Sequence, residues 1–203
     1  MSVWELATRV PLIVRDPWAT ASHGKATQVM VELVDLMPSL AALAGVPLPE
    51  HEVVPLAGVS FAAALADPTL PPDGIKNYTL SQHARCWKDM HPNCGTTLRA
   101  AAGAGSHSLS DMCDCHNVTA NDIDFMGLSI RVPHFRYTEW HAWNGTALAP
   151  VWSTDYGVEL YTHFNDTGVS FDDFENVNEA TVEKYHDVVT TLRATVRSAF
   201  GYP

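Results

Sequence analysis

Apolar positions recur along the chain with two different periods, and the change of period marks the elements. The run RVPLIV at Arg9–Val14 is continuous and apolar, which predicts a buried strand. Polar residues with Pro17 and Gly24 follow as a loop. In Gln28–Val34 the residues Val29, Val31 and Leu33 alternate with Met30, Glu32 and Val34, a second strand pattern. Asp35 is placed to cap a helix over Leu36–Gly45. Pro38 falls in its first turn, where a missing N–H is harmless, and Gly45 suits the position just past its end.

The stretch Pro47–Asp73 is rich in Pro and Ala and predicts a surface wrap with a brief helix near Ser60–Ala66. Tyr78–Gln82 predicts a strand. His83–Asp124 is long, rich in Gly, Ala and His, and holds every cysteine. A connection of that length is usually functional or stapled. Gly127–Val132 and Phe135–Trp140, parted by Pro133 and His134, predict a hairpin, with Glu159–His163 as a strand beside it. Over Glu179–Phe200 the residues Val182, Tyr185, Val189, Leu192, Val196 and Phe200 fall on one stripe. Asn178 can cap that helix, and Arg193 and Arg197 suit its negative end.

The 203 residues are 46% hydrophobic and 17% charged, enough to bury a core and too few charges for a disordered tail. The net charge of −11 argues against nucleic acid as a partner, because that binding rests on Lys and Arg contacts to phosphate. An anionic substrate would need a local cluster of cations against the global field. No apolar run is long enough to span a membrane.

The opening MSVWELATRVPLIV has neither a basic start nor a long apolar run of the secretory kind. Yet N-x-Ser/Thr sequons occur at Asn77, Asn117, Asn144 and Asn165, and the cysteines Cys86, Cys94, Cys113 and Cys115 are even in number. These point to a secreted or lysosomal protein, with the natural N-terminus expected to lie outside this sequence. A zinc site is the weaker reading of the cysteines with His91 and His116, because their spacing matches no compact zinc pattern. Two disulfides are expected. Cys113 and Cys115 are too close in sequence to pair with each other. That leaves Cys86–Cys113 with Cys94–Cys115, or the crossed alternative.

Several blocks resemble one family. MGLSIR, FRYTEW, ELYTHFND and FENVNEA resemble the succession "MGYSIR…RYTEW…ELYDH…DP…ENVN" of the sulfatases in the alkaline-phosphatase-like superfamily. ELATRVPLIV, VELVDLMPSLAALAGVPLP, LAGVSFAAAL and YTLSQHAR match further blocks, so the resemblance runs from residue 2 to residue 180. Within the family the likeness is greatest to the iduronate-2-sulfatase group. The resemblance implies an α/β fold: the end of an alkaline-phosphatase-like sheet over residues 1–76, then a C-terminal α+β subdomain over 77–203. That subdomain would hold a small antiparallel sheet, a long C-terminal helix and a stapled loop at 83–124. It implies hydrolysis of sulfate esters on sulfated glycans in the complete enzyme, with a formylglycine nucleophile and calcium.

The chain departs from the family in one respect. The nucleophile motif Cys/Ser-x-Pro/Ala-x-Arg is absent, and the family's metal ligands precede the residue that matches Ser2. The resemblance therefore implies a missing N-terminal catalytic part and an inactive isolated chain. Ser81–Arg85 has the nucleophile spacing, but His83 stands where Pro or Ala is required, and the block occupies another place in the family pattern.

Candidate substrate-pocket residues are His83, Arg85 and Arg131, the arginine fork being suited to sulfate. Against this, Arg131 and Arg136 are expected to pair with internal carboxylates such as Glu139 or Asp155. Asp172 and Asp173 imitate the family's acidic metal pair but read as turn carboxylates. Trp140, Trp143 and Trp152 read as core or interface residues before a sugar platform. The alternative from another class is a non-catalytic module that holds an anionic glycan.

Overall fold

The computed structural model describes residues 3–48, 56–87, 112–115, 118–170 and 173–201, with backbone only at 112–114. Its helices are α1 (Glu5–Thr8), α2 (Leu36–Ala44), α3 (Ala62–Ala66) and α4 (His186–Ala199). Its strands are β1 (Thr79–Trp87), β2 (Met112–Asp114), β3 (Phe125–Val132), β4 (Phe135–Asn144), β5 (Ala149–Val151) and β6 (Gly157–Thr162). The chain divides into two compact units. A sheet unit comprises residues 1–9, 80–130 and 135–203, and a helical unit comprises 10–79 and 131–134.

The sheet runs β2-β1-β3-β4-β5, and β6 also pairs with β4. One edge of β4 is shared in antiparallel register: Phe135–Trp140 pair with Thr162–Gly157 of β6, and Ala142–Asn144 pair with Val151–Ala149 of β5. The expected hairpin is present as β3 and β4, with its turn at Pro133 and His134, and the strand beside it is β6.

β3 and β4 are buried without interruption over Phe125–Ile130 and Arg136–His141, so side chains on both faces of these strands are covered. Val3, Trp87, Phe125 and Trp140 form a buried cluster. The Trp87 and Phe125 rings lie 4.6 Å apart and Phe125 meets Trp140 edge-on at 6.0 Å, offset arrangements that aromatic pairs prefer. Trp140 fills the space over Gly127, where an added Cβ would stand 2.5 Å from its ring, so only glycine fits there.

The C-terminal helix is shorter than the period predicts. Asn178 does not cap it. Its Oδ1 accepts from the backbone N–H of Leu160 (3.0 Å) and Ala180 (2.9 Å), and its Nδ2 donates to the Val158 carbonyl (2.9 Å). Tied to β6, the chain turns through 179–182, passes a 3-10 turn at Glu183–Tyr185, and becomes α-helical only at His186. Val189, Leu192 and Val196 supply its buried stripe.

Two expected strands are absent. Residues 10–16 and 26–32 carry no regular structure. A strand is defined by its ladder, and no described strand lies beside either segment. The helix over Leu36–Ala44 is present with Gly45 left-handed at its end (φ 66°), and the brief helix is α3.

Most of the stretch 83–124 lies outside the described residues, including Cys94, Asn117, His91 and His116. Its first residues extend β1 to Trp87, and β2 pairs with β1 antiparallel. Cys86 is bonded to Cys115 with Cα atoms 5.3 Å apart, the partner given by the crossed alternative. Spacing could not choose, because residues two apart on a strand share a face. The bond spans a sequence separation of 29. A loop of that length contributes about 3–4 kcal/mol by the chain-entropy model. Cys86→Ser is expected to lower the urea midpoint correspondingly under oxidising conditions and to change little under full reduction.

Candidate functional site

The polar residues of the sheet unit gather on its two faces, and β4 sends alternate side chains to each. Arg136 points to one face and is almost wholly buried. Its Nη2 donates to Glu5 Oε2 (2.5 Å) and to Thr8 Oγ1 (3.2 Å), and its Nε donates to Glu175 Oε1 (2.5 Å). Glu175 also accepts the Glu5 backbone N–H through Oε2 (2.6 Å). His163 lies between carboxylates, Nε2 3.1 Å from Glu175 Oε1 and Nδ1 3.0 Å from Asp166 Oδ2, and its ring stacks on Phe174. Arg9 Nη1 reaches Glu5 Oε1 (3.1 Å) and Asp166 Oδ2 (3.4 Å). Three carboxylates, two guanidinium groups and one imidazole thus close a ring that pins α1 to the sheet.

Burial pushes the Glu175 and Asp166 carboxyls up. The hydrogen bonds from His163, with Arg136 beside Glu175 and Gly168 N–H and Arg9 beside Asp166, outweigh that and hold both below the usual range.

Glu5, His163 and Glu175 bring donor atoms within 4.8 Å of one another, a spacing that a metal ion could use. The donor set does not fit calcium, which takes six to eight oxygen ligands. Here one donor is an imidazole nitrogen, and the Arg136 guanidinium already holds both carboxylates. The arrangement is an ion-pair network.

On the opposite face Glu139 is fully buried at the foot of α4. Its Oε1 accepts from Tyr137 Oη (2.7 Å) and Arg193 Nε (3.1 Å), and its Oε2 accepts from Arg197 Nε (2.8 Å) and faces His141 Nε2 (2.8 Å). Arg193 and Arg197 stand one helical turn apart, so both reach one carboxylate. Burial would raise the Glu139 carboxyl. The hydrogen bonds from His141, Arg197 and Tyr137 outweigh it and hold the group at about 2. Burial, followed by the neighbouring Glu139 charge, raises the Tyr137 phenol.

The sequence-predicted pocket residues are placed as follows. His83 and Arg85 are half-buried, two residues apart on one face of β1, and both are engaged by neighbouring groups. Arg131 lies at the hairpin tip, in the helical unit, where its Nη1 donates to the Val132 carbonyl. Ser81 Oγ is buried and meets no hydrogen-bond partner among the described residues. Arg136 does pair internally, but with Glu5 and Glu175 in place of the expected Glu139 or Asp155. Asp173 is exposed, and Asp172 lies outside the described residues. Asn77, Asn144 and Asn165 are exposed.

The sequence pattern had offered Glu139 only as a partner for Arg131 or Arg136, and had not signalled the ring around Arg136. The available sign was a charged residue inside a predicted strand beside aromatic neighbours, Arg136 between Phe135 and Tyr137 and Glu139 before Trp140.

No protein-family model matches the chain. It is similar to iduronate 2-sulfatase of Mus musculus, 28% identical over 187 residues that cover 79% of this chain and 32% of that protein. The Homo sapiens iduronate 2-sulfatase is 28% identical over 188 residues with the same coverage. Among solved structures, a candidate sulfatase from Bacteroides thetaiotaomicron is 21% identical over 81% of this chain and 23% of its own, with a TM-score of 0.44, too low to carry a structural argument. The two curated similarities support a sulfatase C-terminal portion. The chain spans about a third of the length of the curated relatives it matches.

Proposed function

We propose that the chain is the C-terminal portion of a sulfuric ester hydrolase of the iduronate-2-sulfatase kind, acting on sulfated glycans in its complete form. The observation that carries this reading is the similarity to two iduronate 2-sulfatases over 79% of the chain. The sheet unit is one of the two compact units of that portion. Its paired carboxylates and arginines are spent on holding α1 and α4 to the sheet, and none of them forms a nucleophile–base pair.

Sulfate-ester hydrolysis needs an activated nucleophile and cations around the developing charge. In the complete enzyme a formylglycine and calcium would supply them, with ligands outside this chain. His83 and Arg85, on one face of β1, are its contribution to the substrate rim. The complete protein is a secreted or lysosomal glycoprotein, with glycans on the exposed Asn77, Asn144 and Asn165. The glycan-binding module draws no support from Arg136, whose fork is occupied internally.

The isolated chain is expected to hydrolyse neither an aryl sulfate nor a sulfated disaccharide in the presence of calcium. Turnover that scales with the chain and survives repurification overturns the assignment of the catalytic groups to another part. As a positive test, this chain replaces the matched third of the mouse relative. Aryl-sulfate hydrolysis by that chimera is the expected result, and a folded but silent chimera counts against the sulfatase reading.

A further inference from the structure

The step Asn-Gly occurs once in the chain, at Asn144 and Gly145, where β4 ends. Residues 145–148 turn into β5, and Asn144 stands opposite Ala149. Packing admits only glycine at 145. An added Cβ would overlap the Asn121 Cα and stand 2.5 Å from the Ala120 carbonyl oxygen. The same bare backbone leaves the Gly145 nitrogen unshielded beside the Asn144 side chain, close enough along the chain to close a succinimide ring on its Cγ.

Asn144 is exposed to water. Its Oδ1 accepts the backbone N–H groups of Thr146 (3.0 Å) and Ala147 (2.9 Å), which draw electrons from Cγ. Among the described residues, neither its Nδ2 nor the Gly145 N–H donates to any protein group. Asn178 supplies the contrast within the same unit. Its Oδ1 also accepts two N–H groups, from Leu160 and Ala180. There, however, Nδ2 is tied to the Val158 carbonyl (2.9 Å), and the N–H of the next residue, Glu179, is tied to the Leu160 carbonyl (2.8 Å). Attack at Asn178 must first break both bonds, whereas attack at Asn144 breaks neither.

We propose that Asn144 is a site of spontaneous deamidation, with water as the co-reactant. The inference is independent of the sulfatase reading. Hydroxide takes the Gly145 N–H proton, the nitrogen lone pair forms a bond to Asn144 Cγ, and negative charge moves to Oδ1. That charge falls where the Thr146 and Ala147 N–H groups already point, as the donors of an oxyanion hole do. The Cγ–Nδ2 bond then breaks, and Nδ2 takes a proton from water and leaves as ammonia, which returns the hydroxide. Water opens the succinimide at one carbonyl to give aspartate and at the other to give isoaspartate. The balance is asparagine plus water to acid plus ammonia, with no change of oxidation state. Asn144 also heads the sequon Asn144-Gly145-Thr146. A glycan would take the same Nδ2, so the two modifications exclude each other.

The test uses the full chain made without glycosylation and incubated in heavy-oxygen water at pH 6 and pH 9. Peptide mass mapping locates the conversion, and isoaspartate methyltransferase identifies the rearranged product. The expected result is a mixture of aspartate and isoaspartate at Asn144, each carrying the heavy oxygen. Conversion should be at least tenfold faster at pH 9 than at pH 6, because the attacking nitrogen must lose its proton. Asn178 should convert at least tenfold more slowly than Asn144. A free peptide of residues 141–149 serves as the reference, and the folded chain should match or exceed its rate, since the fold supplies the two donors to Oδ1. A folded chain that converts more slowly than the peptide shows that the turn restrains Asn144, and overturns the proposal. Equal conversion at Asn144 and Asn178 overturns it as well.

Discussion

Replacing Glu139 with glutamine is expected to lower the stability of the sheet unit by about 3 kcal/mol at pH 7, the low end of the cost of breaking a buried charge pair. The low end applies because Arg193 and Arg197 are partly exposed and can turn to water once the carboxylate is gone. The pH dependence gives a second estimate. Glu139 falls from an ordinary value of 4.5 to about 2 in the folded chain. A depressed carboxylate contributes stability that is complete above its unfolded value and is lost as pH falls through its folded value. The window therefore runs from about pH 5 down to about pH 2, and the shift again corresponds to about 3 kcal/mol. Urea unfolding at pH 7 and pH 2.5 checks both. Wild type should lose most of this contribution between the two conditions, whereas Glu139→Gln should start lower and lose less. Equal pH dependence in the two proteins contradicts this account. Because Glu139 is the anchor of Arg193 and Arg197, amide exchange along α4 should rise in the variant before that of β3.

Arg136→Met is expected to cost about 3–5 kcal/mol, since it leaves Glu5 and Glu175 buried opposite each other with no cation between them. Methionine keeps much of the volume, so the loss reports charge. Adding Glu5→Gln and Glu175→Gln to Arg136→Met should recover part of it, because the neutral set has no unpaired charge left to desolvate. The local consequence is release of α1. Trypsin cleavage after Arg9 should accelerate at least tenfold in Arg136→Met and return toward the wild-type rate in the triple variant. An unchanged rate at Arg9 rules out the ring as the latch of this segment.

The elements most readily read from sequence were those whose period and partner lie close together. Gly127–Val132 and Phe135–Trp140 need only a two-residue turn to meet, and their alternation already says which side chains share a face. The helix at Leu36–Ala44 carries its own stop in Gly45. The opposite holds for Arg9–Val14 and Gln28–Val34. Their patterns suit strands, but a strand exists only with a neighbour, and the described residues offer none. The C-terminal helix failed at its start because Asn178 had two uses, and its bonds to Val158 and Leu160 prevailed over capping.

The sequence by itself determined the sulfatase resemblance, the absence of the nucleophile motif, the hairpin and the amphipathic stripe of α4. All of these are local in the chain or additive along it. Only the tertiary structure decided that Arg136 serves Glu5 and Glu175, that Glu139 receives both Arg193 and Arg197, and that Cys86 takes Cys115. It also decided that α2 turns Leu40 and Leu43 outward. Each of these choices sets one residue against competitors of the same chemistry far away in sequence. Spacing cannot rank such competitors, whereas burial can, because a charge removed from water survives only beside the partner the fold delivers.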